Sequence, residues 1–179
     1  MRFKSYVTII ALFVCLGQTA VRAQGPEPAK KILDSALHVG AFTHKNVLLI
    51  FHASWCIWCK RLDSVLTNAE VSPLVAKYLV VTHLDVLERG DKKATLENPG
   101  GEEILRKLGG EESGLPYYAF LNAKGKKITD SNVMPGKSKN IGFPASSEEK
   151  NAFQEILGKS SPSMTAAELS AIMSHFGKK

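Results

Sequence analysis

Apolar residues recur along the chain at more than one period, and the switches between periods mark its elements. Ile32, Leu33, Ala36 and Leu37 fall at helical spacing from about Ala29, with Gly40 as the expected stop. Val47-Leu48-Leu49-Ile50-Phe51 then runs apolar without alternation. A strand with no polar face must be covered on both sides, which places it in the middle of a parallel or mixed sheet. The chain leaves that strand through His52-Ala53-Ser54 directly into Trp55-Cys56-Ile57-Trp58-Cys59, and Leu62, Val65 and Leu66 predict a helix face just beyond.

Ser72-Pro73 reads as an N-cap followed by proline in the first turn of a second short helix. Tyr78 to Val86 is rich in β-prone residues and predicts a second strand. Asp91 to Gly100 is polar and predicts an exposed excursion, followed by helical turns over Glu102–Leu108 that end at Gly109-Gly110. Tyr117–Leu121 reads as a third strand, Asn122–Gly125 as a hairpin turn and Lys126–Asp130 as a fourth strand. Two capping boxes, Ser146 with Glu149 and Thr165 with Glu168, open closing helices that carry Phe153, Ile156 and Leu157, then Leu169, Ile172, Met173 and Phe176. The expected fold class is α/β: a central mixed β-sheet flanked by helices, with an extra C-terminal helix laid on the domain's own core. No repeat or low-complexity segment is present, and a monomer is expected.

The N-terminus changes how much of the chain belongs to that fold. Arg2 and Lys4 form a basic start, Val7 to Leu16 an apolar run, and Val21-Arg22-Ala23 a small-residue cleavage site, the three parts of a secretory signal. The run is shorter than the roughly 20 residues that span a bilayer. We therefore assign 1–23 as a signal peptide and 24–179 as one domain, with a core of about 36–157 and a helical extension over 158–179. An uncleaved N-terminal anchor is the alternative. Either way the domain is exported, and a periplasmic location is expected. Arg2, Lys4 and Arg22 supply three of the six net positive charges of the full chain. No basic run is interleaved with aromatics, which argues against nucleic-acid binding.

Three cysteines occur in all. Cys15 sits inside the signal segment and leaves with it. Cys56 and Cys59 remain, three positions apart, in a compartment where disulfides persist. A structural staple gains most by closing a long loop, and this ring is too small for that, so the pair reads as chemistry. A strand that runs into a helix start presents unpaired N–H groups and the positive end of the helix dipole. That favours a thiolate at Cys56 by about 0.3–1 kcal/mol, or roughly 2 when partly buried, where one pKa unit is about 1.36 kcal/mol. Cys56 is thus the expected attacking sulfur, and Cys59, one turn inward and shielded, the resolving one. A c-type haem needs His at position 60, which is Lys60. A structural zinc needs four ligands, so neither metal nor cofactor is expected.

Phe51-His52-Ala53-Ser54-Trp55-Cys56-Ile57-Trp58-Cys59-Lys60 resembles the thioredoxin superfamily signature of strand, Trp-Cys-x-x-Cys-Lys and helix. Gly114-Leu115-Pro116-Tyr117 is similar to the family's cis-proline segment. The resemblance covers roughly Ala36 to Asp130 and lies towards exported branches related to disulfide interchange protein domains. It implies that Pro116 is cis beside Cys56 and that the Leu115 backbone pairs with an extended substrate. Trp55, Ile57, Trp58, Leu115 and Pro116 then form the expected substrate-binding rim. Two departures stand out. Ile50 occupies the position where many thioredoxins bury an Asp, and Ile57-Trp58 replaces the usual Gly-Pro. His52 lies on the same strand face as Ile50; as a lone His it reads first as a packed residue and second as a proton-transfer group.

The expected function is that of an extracytoplasmic thiol–disulfide oxidoreductase that reduces or exchanges protein disulfides. Its expected partners are protein thiols and disulfides, with a membrane-embedded thiol carrier as electron donor, since no dinucleotide fingerprint is present. Two other readings fit the same residues: a disulfide-forming oxidase or isomerase, and a redox-inert binding module on the same fold. Oxidases of this superfamily usually insert a sizeable helical domain before the proline, and the 88–114 stretch is short for that.

Overall fold

The computed structural model describes residues 25–136 and 139–177. The assigned signal segment and Cys15 lie outside the described residues. In chain order the elements are α1 (Ala29–Thr43), β1 (Asn46–His52), α2 (Ile57–Leu66), α3 (Ser72–Tyr78), β2 (Leu79–Asp85), α4 (Lys92–Leu96) and α5 (Gly101–Lys107). Then follow β3 (Tyr117–Leu121), β4 (Lys127–Asp130), α6 (Ser147–Ser160) and α7 (Ala166–Met173).

The strands form one sheet in the order β2-β1-β3-β4. β1 and β2 run parallel, which obliges a crossover connection, and α2 with α3 supplies it. β3 returns antiparallel to β1, and the tight turn at Asn122–Gly125 pairs it with β4. The apolar run of β1 is buried along its interior, as expected of a central strand.

Alternation sorts the side chains of β1 and β3 into two cores. Val47, Leu49, Phe51, Tyr117, Ala119 and Leu121 face α1 and α5, packing with Ala29, Ala36 and Leu105. Leu48, Ile50, Tyr118 and Phe120 face the other way, onto Leu62 and Leu66 of α2, Val75 of α3 and Phe153, Ile156 and Leu157 of α6. Ile172 of α7 and Phe176 just beyond it join this second core, so the closing helix covers the domain itself. Burying each such side chain is worth about 1.5–3 kcal/mol.

Two local expectations are corrected. Gly40 does not stop α1. The helix runs on to Thr43 and ends at His44, whose backbone is left-handed at φ 56°. Gly40 serves packing instead, because a Cβ there would lie 2.8 Å from the carbonyl oxygen of Lys45. Ser72 is not an N-cap. The turn at Asn68–Val71 is already helical enough that the Ser72 N–H donates to the Asn68 carbonyl, and Ser72 becomes the first helical residue, with Pro73 in the first turn. The stretch 91–100 is largely exposed, as expected, and it also holds α4. It is also latched at Asn98, a buried residue whose amide accepts from the Asp85 N–H at 2.7 Å and donates to the Glu27 carbonyl at 2.9 Å.

Candidate active site

The site lies where β1 ends. Its last residue, His52, is followed by a turn in which the Cys56 N–H donates to the Ala53 carbonyl, and α2 begins at once. Cys56 is the N-cap of α2, in extended conformation, and its Sγ accepts from the Cys59 N–H at 3.1 Å. The sulfur therefore takes the place of a capping oxygen and satisfies one of the otherwise unpartnered donors of the first turn. Cys56 and Cys59 are joined in a disulfide.

In this joined state the two cysteines do not differ in exposure as expected. Cys56 is 3% exposed and Cys59 1%. Ala53 clusters with both cysteines, and the half-buried Leu115 packs against that cluster. The distinction between the two is one of position: Cys56 caps the helix, and Cys59 sits inside its first turn.

The rim residues fall as follows. Trp55, Ile57 and Trp58 all point outward, with Ile57 the most exposed of the three. Trp58, though exposed, stacks on Phe143 with ring centroids 6.0 Å apart. Leu115 is half-buried against the disulfide and Pro116 is buried. The Leu115–Pro116 peptide is cis. The Asn140 side chain ties down this segment, donating to the Gly114 carbonyl at 2.6 Å and the Pro116 carbonyl at 3.1 Å. Leu115 itself makes no backbone hydrogen bond among the described residues.

Ile50 is fully buried in the apolar core and brings no charge towards the cysteines. Behind it, on the α2 side of the sheet, lies a polar cluster that sequence reading missed. His52 Nε2 is 3.2 Å from Asp85 and its Nδ1 is 3.7 Å from Asp63, while His83 Nε2 is 2.9 Å from the other Asp63 oxygen. The two imidazole rings are 4.9 Å apart. Asp63 stands one helical turn beyond Cys59, and the parallel register sets His52 beside Asp85 and Ile50 beside His83.

Burial disfavours the charged His52 ring, but contact with Asp63 and the charges of Asp85, Asp63 and Glu88 outweigh it and hold His52 above the ordinary imidazole value. Burial likewise works against the Asp63 anion, yet contact with His52 and the hydrogen bond with His83 hold its carboxyl well below the usual carboxylate range. Asp85 goes the other way. Its burial, together with the nearby charges of Glu88 and Asp63, outweighs His52 and raises it.

On the opposite flank, the turn after β2 grips the cysteine turn. Leu87 is left-handed at φ 56°, and its carbonyl accepts from the Trp55 indole at 2.9 Å. The buried Glu88 carboxylate accepts from the Ser54 N–H and, at 2.8 Å, from the Ser54 hydroxyl. Nothing local in the sequence pairs Glu88 with Ser54. The two residues lie 34 positions apart, so only the tertiary structure brings them together.

A mixed sheet with a parallel crossover, a helix-capping cysteine pair at its edge and a cis-proline beside it together define a thioredoxin-fold protein of the disulfide oxidoreductase class. The sequence model of the thioredoxin-like family matches residues 29–123, over half of the chain, and the chain belongs to that family. It is similar to the thiol:disulfide interchange protein DsbD of Photorhabdus laumondii, at 29% identity over 92 residues, 51% of this chain and 14% of the relative. It is also similar to the protein disulfide-isomerase of Hordeum vulgare, at 28% identity over 104 residues, 58% of this chain and 17% of the relative. The chain thus spans only a small part of the curated relatives it matches. Among solved structures, it is similar to a disulphide isomerase from Xylella fastidiosa Temecula1, at 29% identity and TM-score 0.48, covering 67% of this chain and 80% of that one. Another similar structure is the C-terminal domain of Neisseria meningitidis DsbD in the oxidised form, at 21% identity and TM-score 0.41, covering 65% of this chain and 90% of that one.

Proposed function

We propose that this chain is an extracytoplasmic thiol–disulfide oxidoreductase that reduces or exchanges disulfides in other proteins through Cys56 and Cys59. The observation that carries the reading is the position of the pair: a disulfide whose outer sulfur caps a helix and accepts the Cys59 N–H, beside the cis Leu115–Pro116 segment. A donor already aimed at Sγ, with the helix dipole behind it, stabilises negative charge on that sulfur once the pair is reduced.

The reaction follows from that charge. The Cys56 thiolate attacks one sulfur of a client disulfide, forming a mixed disulfide and releasing the other client sulfur as a thiolate, which takes a proton from solvent. Cys59, three residues on, loses its proton and attacks Cys56 Sγ. That restores the Cys56–Cys59 bond and frees the second client thiolate. The client gains two electrons and the pair loses two. A thiol donor resets the pair by the same exchange in reverse, and for an exported protein a membrane-embedded thiol carrier fits that role. Trp55, Ile57, Trp58, Leu115 and Pro116 form the docking rim, with the unpaired backbone of Leu115 placed to meet an extended client segment.

The signal pattern in residues 1–23 supports export, and we place the working domain in the periplasm at 24–179. Among the described residues, no helix is long and apolar enough to cross a membrane. We take the protein to work as a monomer.

Cys59→Ser tests the proposal, because it leaves Cys56 able to attack but removes the group that releases the client. Covalent client complexes that collapse on reduction are expected from this variant and absent from Cys56→Ser. If neither the variant nor the parent protein ever carries a client or reduces a model disulfide, the reading is wrong. Titration against glutathione sets direction: a potential near about −270 mV marks a reductant, and one near about −120 mV an oxidant.

A further inference from the structure

The rim around Cys56 is apolar in its side chains and basic at its edge. Trp55, Ile57, Trp58 and Leu87 are all exposed, which is unusual for large apolar residues packed so closely in sequence and space. Each tryptophan carries a guanidinium on its ring: Arg89 lies 3.9 Å from the Trp55 centroid and Arg61 4.6 Å from that of Trp58. Lys92 reaches to 3.3 Å from the Ser54 hydroxyl, on the Cys56 side of the excursion.

These cations are not neutralised locally. Among the described residues, Arg61, Arg89 and Lys92 form no ion pair, whereas Lys77, Lys93 and Lys127 elsewhere on the surface do. The carboxylates nearest the rim are already committed. Glu88 is buried beneath it on Ser54, Asp63 and Asp85 face the two histidines behind it, and Glu149, which lines a cavity with Trp58 and Leu115, accepts from the Ala145 and Ser146 N–H groups. Asp91 is the exposed acid on the 87–92 turn.

We infer that this rim is a docking surface for polypeptide segments whose cysteines are flanked by acidic residues; the inference rests on the oxidoreductase reading for what happens after docking. The contacts hold Arg61 and Arg89 over rings that themselves offer apolar contact, one on each of the two rim tryptophans. A client carboxylate paired with either guanidinium leaves its neighbouring apolar residues over a tryptophan. A lysine at the same place meets unneutralised positive charge. Charge complementarity of this kind governs encounter and choice of partner more than final affinity. It weakens as salt shortens the screening length from about 10 Å at 0.1 M to about 3 Å at 1 M.

The test uses the oxidised protein and three linear peptides of identical apolar core, with Glu, Ser or Lys around a central position. In one set that position is Ser, so that only docking is read. In the other it is one end of an intramolecular disulfide, so that turnover by the reduced protein is read. The chain has two tryptophans, Trp55 and Trp58, so emission excited selectively at tryptophan reports the rim alone. The Glu peptide is expected to bind, and to be reduced, at least about tenfold better than the Lys peptide at low salt. That ratio should shrink several-fold in Arg61→Gln/Arg89→Gln and at high salt, and stay put in the hairpin variant Lys124→Gln. Equal binding of the Glu and Lys peptides at low salt overturns the inference. So does quenching by anionic phospholipid vesicles with none by the Glu peptide, which would assign the rim to a lipid surface. Preferential binding of the Glu peptide without turnover of any disulfide peptide would uphold the docking surface and retire the redox reading instead.

Discussion

Glu88 and Ser54 are joined through both ends of one carboxylate: one oxygen takes the Ser54 backbone N–H and the other its hydroxyl, two residues before Cys56. The carboxylate is buried, and its own backbone N–H donates to Glu97 at 3.0 Å. With Leu87 holding the Trp55 indole, the turn after β2 fixes the entry to α2 from outside the motif.

Glu88→Ala removes both acceptors of the half-buried Ser54 donors, so it should cost on the order of 1 kcal/mol. Glu88→Gln should cost less, because an amide can accept from the N–H and donate to the hydroxyl. Denaturant melts rank the three proteins, and tryptophan emission shows whether Trp55 shifts with the loss. Equal stability of all three would mean the clasp contributes nothing.

The histidine–carboxylate cluster makes stability depend on pH in a definite direction. His52 is held above the ordinary value, so the folded state favours its protonated ring. Its contribution is complete below the unfolded histidine value of about 6.5 and is lost as pH rises through the raised folded value. Asp63 acts at the other end: its contribution is present above about 3.9 and is lost as pH falls through its lowered value. Melting temperature should therefore decline above neutral pH, and the decline should be smaller in His52→Gln. A parallel curve for that variant would remove His52 from the account.

After reduction, the capping position of Cys56 should show in its chemistry. Alkylation at pH 7 is expected to label Cys56 several-fold faster than Cys59, because the thiolate is the reacting form and the helix tip favours it. Peptide mapping of a short iodoacetamide pulse gives the ratio. Equal labelling would take away the physical basis for treating Cys56 as the attacking sulfur.

Gly110 closes the turn after α5 with no room for a side chain. A Cβ there would stand 2.4 Å from Leu105 Cδ1 and 2.6 Å from the Tyr117 ring. That ring is buried against the first core, and its hydroxyl donates to the Leu108 carbonyl at 2.6 Å. Gly110→Ala should cost about 1–3 kcal/mol by overpacking. Because Tyr117 directly follows Pro116, client trapping by a Cys59→Ser background should fall with it.

Much of the fold is written in local pattern. The unbroken apolar run at Val47–Phe51 required cover on both faces, and it has it. The Ser146 and Thr165 capping boxes both form and open helices where expected. Cys56 and Cys59 stand at a strand-to-helix junction because an apolar run and a helical face meet there. Each of these is decided by residues within a turn or two of one another, where spacing alone dictates which side chains share a face.

What surrounds the cysteines was decided elsewhere. The pairing of β1 with β2 puts His52 beside Asp85, and packing of α2 on that sheet brings Asp63 to both histidines. Glu88 meets Ser54 across 34 positions, and Asn140 holds the Pro116 segment from 24 positions away. The sequence by itself determined most of the elements and the place of the cysteine pair at a strand-to-helix junction. Strand register and helix docking brought His83, Asp85 and Glu88 to the site, whereas Arg61 reaches Trp58 from three positions further along α2; long-range partners are selected by which surfaces bury best together and leave no mark in local spacing.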